Sequence, residues 1–252
     1  MKSPASINAP LKCLALALVT TFALPVCAQD AGSDEVATEE ESNLITGSLA
    51  FTSDYRFRGI TQTNEDPALQ IGVEAALPAG LYAGLWASNV DFAPTDSATY
   101  ELDTIIGWRG DLTEAVSADV QFVRYNYLTD NPGQLEYNEL IGKIGFMGLT
   151  GMAGYSDNFL NSDEVGIYYN LAYGVPVTDE YNVSAAIGYY DIDRPGGRNI
   201  SITDHNIGVS RSFGPLSVAL NYIHTNKGAK ELFAGLSDSR IVFTISSTFG
   251  FL

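Results

Sequence analysis

The feature that most constrains this chain is an alternation of apolar and polar residues from Asn43 to the C-terminus. About twelve segments of strand length carry it, and the connections between them are alternately short and long, as in transmembrane β-barrels. Because the bilayer core offers the backbone no hydrogen-bond partners, a sheet can span it only by closing on itself. We therefore predict an all-β fold for residues 43–252, a closed antiparallel transmembrane β-barrel.

The segment at residues 68–77 shows the pattern clearly, since Leu69, Ile71 and Val73 alternate with Gln70 and Glu74. Successive side chains of a strand point to opposite faces, so one row would face lipid and the other the lumen. The same period recurs in residues 100–108, 181–189 and 216–222.

The connections indicate the orientation of the barrel. Tight turns are predicted at residues 78–80, 110–111, 147–148, 176–179 and 214–215, where turn-forming residues cluster. Longer polar connections are predicted at residues 58–67, 92–98, 129–134, 158–164, 193–199 and 226–237. This order predicts an even number of strands, with both termini and the tight turns in the periplasm.

Aromatic residues fall where the strands would cross the two membrane interfaces, as in the girdles of outer-membrane barrels. The predicted loop-side girdle is Tyr55, Phe57, Phe92, Tyr100, Tyr125, Tyr127, Tyr189 and Tyr222. The predicted turn-side girdle is Trp108, Phe146, Tyr173, Tyr181, Phe213 and Phe249. A soluble β-sandwich core that buries these rings is the alternative.

The last strand ends on aromatic residues. Phe249 and Phe251 share one face with Ile241, Phe243 and Ile245, and only Ser247 interrupts that face. The strand resembles the terminal strand by which the outer-membrane assembly machinery recognises its clients, although Leu252 follows Phe251. Phe249 and Phe251 are therefore the predicted assembly signal.

Residues 1–28 have the features of a signal peptide. Lys2 and Lys12 form a positive region, an apolar stretch follows, and Ala28 precedes the expected cleavage point. Lipidation of Cys27 is the alternative, but Val26 is a poor residue for that position. Residues 29–42 are acidic, contain no basic residue, and are predicted to form a disordered tail.

Composition excludes several classes of function. Both cysteines, Cys13 and Cys27, lie in the predicted signal peptide, so the mature chain would hold no disulfide and no thiol-based site. The sequence has 30 acidic residues against 13 basic ones, a balance that argues against nucleic-acid partners.

Two stretches resemble a known family: LAFTSDYRFRGITQ, residues 49–62, and LWASNVDF, residues 85–92. They are similar to the first and third strands of the proteobacterial Gcw_chp family, whose members are labelled TorF-type porins. The resemblance extends over essentially the whole mature chain, but only these two stretches are specific. It implies an outer-membrane, porin-like protein and leaves the solute and any catalytic residue unspecified.

Four charged residues lie in or beside these stretches. We expect Asp54, Arg56 and Arg58 to share one face at the loop end of the first strand, with Asp91 at the same height on the third. Contacts between arginine and carboxylate there would fix the loop entrance. They are either a pore-mouth selectivity element or structural salt bridges, and the second interpretation is preferred.

Charges on the predicted lumen face carry most of the functional information. Glu74, Glu101, Asp103 and Asp119 are expected to point inward, with Lys143 and Arg109 as inward bases. Rings of carboxylates favour cations or neutral solutes over anions. The alternative is a set of buried ion pairs that fills a narrow barrel.

No catalytic constellation is evident. The only histidines are His205 and His224, and His205 cannot form a dyad with its neighbour Asp204 if both lie on one strand. The sequence contains no recognisable motif for a metal or cofactor, so no cofactor is predicted.

We therefore predict a porin-like channel of the Gram-negative outer membrane, through which small cations or neutral solutes diffuse passively. A plugged barrel that acts as a scaffold or adhesin through its loops is the alternative, and an outer-membrane enzyme is the third. Expected partners are membrane lipid, the assembly machinery and the solute; the oligomeric state stays open.

Overall fold

The structure, a computed structural model, describes residues 44–92, 97–129, 135–193, 199–233 and 235–251. The predicted signal peptide and acidic tail lie outside the described residues. So do the middle parts of three predicted loops, at residues 93–96, 130–134 and 194–198.

Twelve strands form a closed barrel, and two very short strands form a separate hairpin. The strands are β1 (Ile45–Thr52), β2 (Arg56–Phe57), β3 (Ile60–Thr61), β4 (Ala68–Ala76), β5 (Leu81–Asn89), β6 (Tyr100–Thr113), β7 (Val116–Leu128), β8 (Tyr137–Phe146), β9 (Leu149–Phe159), β10 (Glu164–Pro176), β11 (Tyr181–Asp193), β12 (Ile200–Phe213), β13 (Leu216–Thr225) and β14 (Arg240–Gly250). Each barrel strand pairs antiparallel with its neighbours in sequence, and β1 closes the ring against β14. The predicted fold is confirmed.

The outer face of the barrel is apolar, because one side chain in two points away from the lumen. On β4, Leu69, Ile71 and Val73 are exposed, whereas Glu74 is buried inside. On β14, Ile241, Phe243 and Phe249 are exposed in the same way, as is Phe251 directly after the strand. On these two strands, the side chains that the sequence assigned to the lipid face do point outward, and an apolar exterior of this kind suits a lipid environment.

The tight turns lie at one end of the barrel, but one of them was misplaced. Residues Gly110 and Asp111 were expected to turn, yet β6 continues to Thr113 and the chain reverses after it. Asp111 still pairs with Ser117 on β7, and the register shifts only between Asp111 and Thr113. Strand pairing therefore overrides the turn tendency of the Gly-Asp pair.

The loop-side aromatic girdle is only partly correct. Tyr100, Tyr189 and Tyr222 point outward and are exposed, as predicted. By contrast, four of the other rings are buried inside the barrel: Tyr55, Phe57, Tyr125 and Tyr127. On the turn side, Phe146, Tyr173, Tyr181, Phe213 and Phe249 are exposed, and Trp108 is half-buried.

Helical structure is sparse in the described part of the chain. A single 3-10 turn, Pro78–Gly80, joins β4 to β5, and one α-helix, α1 (Lys227–Leu232), follows β13. Across the described ranges, no helix has the length and apolar character needed to cross a membrane.

Candidate functional site in the barrel lumen

The connection between β1 and β4 folds into the lumen instead of extending away from the barrel. Its hairpin is formed by β2 and β3, joined by Arg58 and Gly59. Both joining residues have positive φ, 49° and 82°, which matches the two-residue turn that suits tight hairpins. Thr52 and Ala68 pair directly, so the ends of the connection already meet at the barrel wall. We call residues 53–67 the inward loop.

This corrects the expected placement of the four charged residues near the loop entrance. Because β1 ends at Thr52, strand parity does not apply to Asp54, Arg56 and Arg58. Arg56 Nε donates to Asp54 Oδ2 at 2.7 Å, so that pair does form. Asp91 contacts the inward loop through its backbone N–H, which donates to the Gln62 carbonyl at 2.8 Å.

Arg58 spans the lumen. Its Nη2 lies 2.7 Å and 2.8 Å from the two carboxylate oxygens of Glu139 on β8, nearly opposite β1 in the ring. The Arg58 side chain is 3 % exposed and that of Glu139 is fully enclosed. Burial lowers the pKa of Arg58 and the Glu139 carboxylate raises it; the net direction is upward, so Arg58 stays charged.

Aromatic rings surround the Arg58 guanidinium on several sides. Its Cζ lies 4.6 Å from the centre of the Phe57 ring, 4.2 Å from that of Tyr168 and 4.8 Å from that of Tyr190. A cation over desolvated ring faces is attracted by their quadrupoles. Arg58 is therefore held by one ion pair and three ring contacts.

The tip of the hairpin also touches the barrel wall at β13 and β12, two and three strands from β1 in the ring. A Cβ placed on Gly59 would lie 2.4 Å from the Thr225 side chain on β13 and 2.9 Å from Asp204 Cβ on β12. With its positive φ as well, only glycine fits this position without displacing the wall.

Buried aromatic rings fill the lumen around the inward loop. Tyr55 packs against Trp86, with ring centres 5.4 Å apart, and Phe57 packs against Tyr125 at 5.9 Å. Further ring contacts continue across the barrel through Tyr137, Phe159, Tyr190 and Tyr168. This half of the lumen is a packed core. This packed core was not predicted from the sequence, although Tyr125 and Tyr127 have the same strand parity as the inward Gln121.

The half of the lumen towards the tight turns contains an ion-pair cluster. Arg109 lies 2.5 Å from Glu74 and 3.9 Å from Asp119. Lys143 is the direct cross-strand neighbour of Asp119, and the Tyr82 hydroxyl donates to Asp119 at 2.9 Å. The structure thus brings these predicted lumen residues together, with acids and bases side by side.

Glu101 and Asp103 also point inward, but they lie near the loop end and away from that cluster. Glu101 is 1 % exposed and Asp103 is 0 % exposed. The Tyr127 hydroxyl donates to Glu101 at 3.1 Å. These two carboxylates belong to the packed half of the lumen.

A different wall of the lumen, formed by β11 to β14, is lined with small polar side chains. Those nearest the turn end are half-buried, so solvent reaches them: Asn182, Ser184, Ser210, Ser217 and Ser246. The lumen therefore combines a bulky, charged wall with a small, polar one.

The two histidines lie outside the lumen. His205 and His224 pair directly across β12 and β13, with ring centres 6.0 Å apart, and both are exposed on the outer face. Asp204 points inward and is buried, so His205 and Asp204 occupy opposite faces as expected.

Comparison with known proteins agrees with this architecture. The family model described as "Bacterial protein of unknown function (Gcw_chp)" matches residues 37–249. No curated protein matches the sequence. Among solved structures, the NanC porin aligns with a TM-score of 0.52 and 9 % identity over 82 % of this chain and 100 % of that one.

Two further solved structures align with lower scores. The KdgM porin has a TM-score of 0.48 and 8 % identity over 82 % of this chain and 99 % of that one. LpxR from Salmonella typhimurium has a TM-score of 0.42 and 11 % identity over 82 % of this chain and 100 % of that one. At such identities, the similarity concerns the barrel fold and not the solute.

Proposed function

The chain belongs to the Gcw_chp family, and from that premise we propose that it is a porin-like channel of the Gram-negative outer membrane. Small solutes would diffuse passively through its lumen. The observation that carries the proposal is the combination of a closed twelve-stranded barrel with an apolar exterior and a polar inner wall. A barrel used only as an anchor has no need of a solvated polar wall.

The inward loop sets the size limit of the proposed channel. Arg58, Gly59 and the surrounding rings occupy the lumen from β1 to the far wall. Solutes would pass beside this loop, along the small polar side chains of β11 to β14. A path restricted in this way suits small solutes and predicts a low conductance.

The charge of the lumen favours cations and neutral solutes over anions. In the half of the lumen towards the tight turns, Glu74 and Asp119 face Arg109 and Lys143, so the bases offset the acids. Glu101 and Asp103 add negative charge nearer the loop end, and their field reaches the path although their side chains are buried. The preference we propose is modest and for cations.

Ion selectivity in a planar bilayer tests this function. Wild-type protein in a salt gradient should give a reversal potential on the cation side, and 1 M salt should reduce it because the Debye length falls to about 3 Å. Glu74→Gln with Asp119→Asn leaves Arg109 and Lys143 as the local charges, so the potential should move to the anion side. Glu180→Gln, at an exposed turn, is the matched control and should leave it unchanged.

A scaffold is the second candidate, and the packed inward loop favours it. If the rings and the Arg58–Glu139 pair leave no continuous path, the barrel conducts nothing and its loops carry the function. Absence of any conductance from correctly folded wild-type protein would support the scaffold and exclude the channel.

A further inference from the structure

The small polar wall of the lumen, formed by β11 to β14, is uncharged in its half towards the tight turns. Among the described strand residues, serine, threonine, asparagine, alanine and glycine occupy every inward position there, from Asn182 on β11 to Thr248 on β14. Arg211 lies at the same level but points outward, with its Cζ 4.9 Å from the centre of the Tyr181 ring. A solute that passes beside the inward loop therefore meets amides and hydroxyls on this side.

Polar side chains from neighbouring strands come together over Gly208, near the middle of β12. Gly208 pairs with Ser184 on β11 and with Asn221 on β13. A Cβ placed on Gly208 would lie 2.1 Å from Asn221 Oδ1 and 3.1 Å from Ser184 Oγ, so both polar groups lie over the glycine. Asn206, two residues earlier on β12, also faces the lumen. Three strands thus present polar side chains at one place.

The amides of this wall have hydrogen-bonding capacity to spare. Oδ1 of Asn182 and Oδ1 of Asn206 accept no hydrogen bond from any described residue. The opposite wall differs, because it holds its charges in pairs: Arg109 on β6 lies beside Glu74 and Asp119. A solute can therefore form hydrogen bonds with the wall of β11 to β14 without breaking an ion pair.

An uncharged, hydroxyl-rich solute matches this surface. Side-chain amides and hydroxyls both donate and accept hydrogen bonds, as the hydroxyls of a sugar do. Such a solute exchanges hydrogen bonds with water for hydrogen bonds with the wall, and the net cost of that exchange is small. A charged solute loses part of its hydration in a narrow lumen and meets no opposite charge on this half of the wall. We propose that the solutes of this channel are uncharged monosaccharides and related polyols, which pass along β11 to β14.

This solute class rests on the proposed channel function and adds to it. The cation preference describes how the lumen treats inorganic ions, through the field of carboxylates such as Glu101 and Asp103. An uncharged sugar carries no net charge for that field to act on, so hydrogen bonding to the wall decides its passage. Sugar uptake and ion conductance can therefore be measured separately.

Uptake into proteoliposomes tests the solute class with the full-length refolded protein. Three labelled sugars of similar size are the probes: D-glucose, D-glucosamine at a pH where its amine is charged, and D-glucuronate. Potassium and valinomycin hold the membrane potential at zero, so that charge acts only inside the lumen. We expect glucose to enter about fivefold faster than glucosamine, the factor that one net hydrogen bond supplies, and glucuronate to be the slowest. Selection by charge alone would instead admit glucosamine first.

Two variants remove hydrogen bonding from the wall and keep the space. Asn182→Leu and Asn221→Leu each replace an amide with an apolar side chain of similar size. Each should slow glucose uptake about fivefold and change K⁺ conductance by less than about twofold, because water still solvates the ion in the lumen. Asn138→Leu is the matched control, since Asn138 is exposed on the outer face of β8, and it should change neither quantity. Folding of each variant is checked by the heat-dependent shift of its electrophoretic mobility.

The possible outcomes separate the solute class from the channel itself. If wild-type protein conducts K⁺ but admits glucose no faster than glucosamine, the solute class is wrong and the channel stands; this comparison needs no variant to fold. The solute class is also wrong if folded leucine variants keep the wild-type glucose uptake, or lose uptake and conductance in equal proportion. If folded wild-type protein passes neither K⁺ nor any of the three sugars, the proposed channel fails and the solute class fails with it.

Discussion

The buried pair of Arg58 and Glu139 should dominate the stability of the inward loop. Replacing Arg58 with Met keeps much of the side-chain volume but leaves the Glu139 carboxylate enclosed without its cation. Breaking a buried pair in this way costs about 3–5 kcal/mol. The three ring contacts of Arg58 place the expected loss in the upper part of that range, and the Tyr125 hydroxyl, which donates to Glu139 at 3.1 Å, offsets a part of it.

A double-mutant cycle separates the pair from its surroundings. Glu139→Gln alone leaves the buried Arg58 charge without its carboxylate partner, whereas Arg58→Met with Glu139→Gln removes both charges together. The double variant should therefore cost less than the sum of the single variants, with a coupling free energy of about 2–3 kcal/mol.

The free energy of unfolding is measured by urea titration in lipid vesicles, with tryptophan fluorescence as the signal. Trp86 packs on Tyr55 and so reports on the inward loop itself. Arg124→Met is the control, because its partner Glu136 lies in a half-exposed pair that should contribute at most about 1 kcal/mol. If Arg58→Met costs no more than Arg124→Met, or if the two costs simply add, the loop is not held by this pair.

Three further predictions concern the lipid face, the orientation and assembly. Ile187→Arg, at the middle of β11 and facing outward, should cost about 2–4 kcal/mol in the same titration, whereas Ser184→Arg on the lumen side should cost much less; equal costs would contradict the assigned faces. An epitope tag at Gly235 should be labelled on intact cells and one at Thr178 only after permeabilisation; the reverse pattern would invert the barrel. Removing both aromatic rings, with Phe249→Ala and Phe251→Ala, should lower the amount of folded protein in outer-membrane fractions, and unchanged amounts would exclude the assembly role.

The outer surface of this protein was predictable from the sequence because contact with lipid requires apolar side chains there. Every second residue must be apolar where the backbone meets lipid, so Ile71 and Ile187 could be assigned by period alone. One tight turn, at Gly110-Asp111, was misplaced, because both residues favour turns while the pairing of Asp111 with Ser117 favours a longer strand.

The interior was less predictable, because the lumen accepts polar and aromatic side chains alike. Tyr125 and Tyr127 fit an interface girdle as well as a packed lumen, and composition does not separate the two. The inward loop depends on contacts between distant residues, since Arg58 and Glu139 are 81 positions apart. The alternation of side chains along a strand contains no information about such a contact. It also does not apply after β1 ends at Thr52, so the predicted faces of Asp54, Arg56 and Arg58 were wrong.

The central claim is that a solute path exists and that the inward loop restricts it. Thr52 and Ala68 are direct partners, so residues 53–67 can be replaced by a short Gly-Ser turn without changing the barrel strands. Single-channel conductance is then compared between wild type and this loop-shortened variant in the same bilayer. We predict small but measurable conductance for wild type and a clearly larger one for the variant. Equal conductance would show that the loop does not restrict the path. If neither folded protein conducts ions, the channel is excluded.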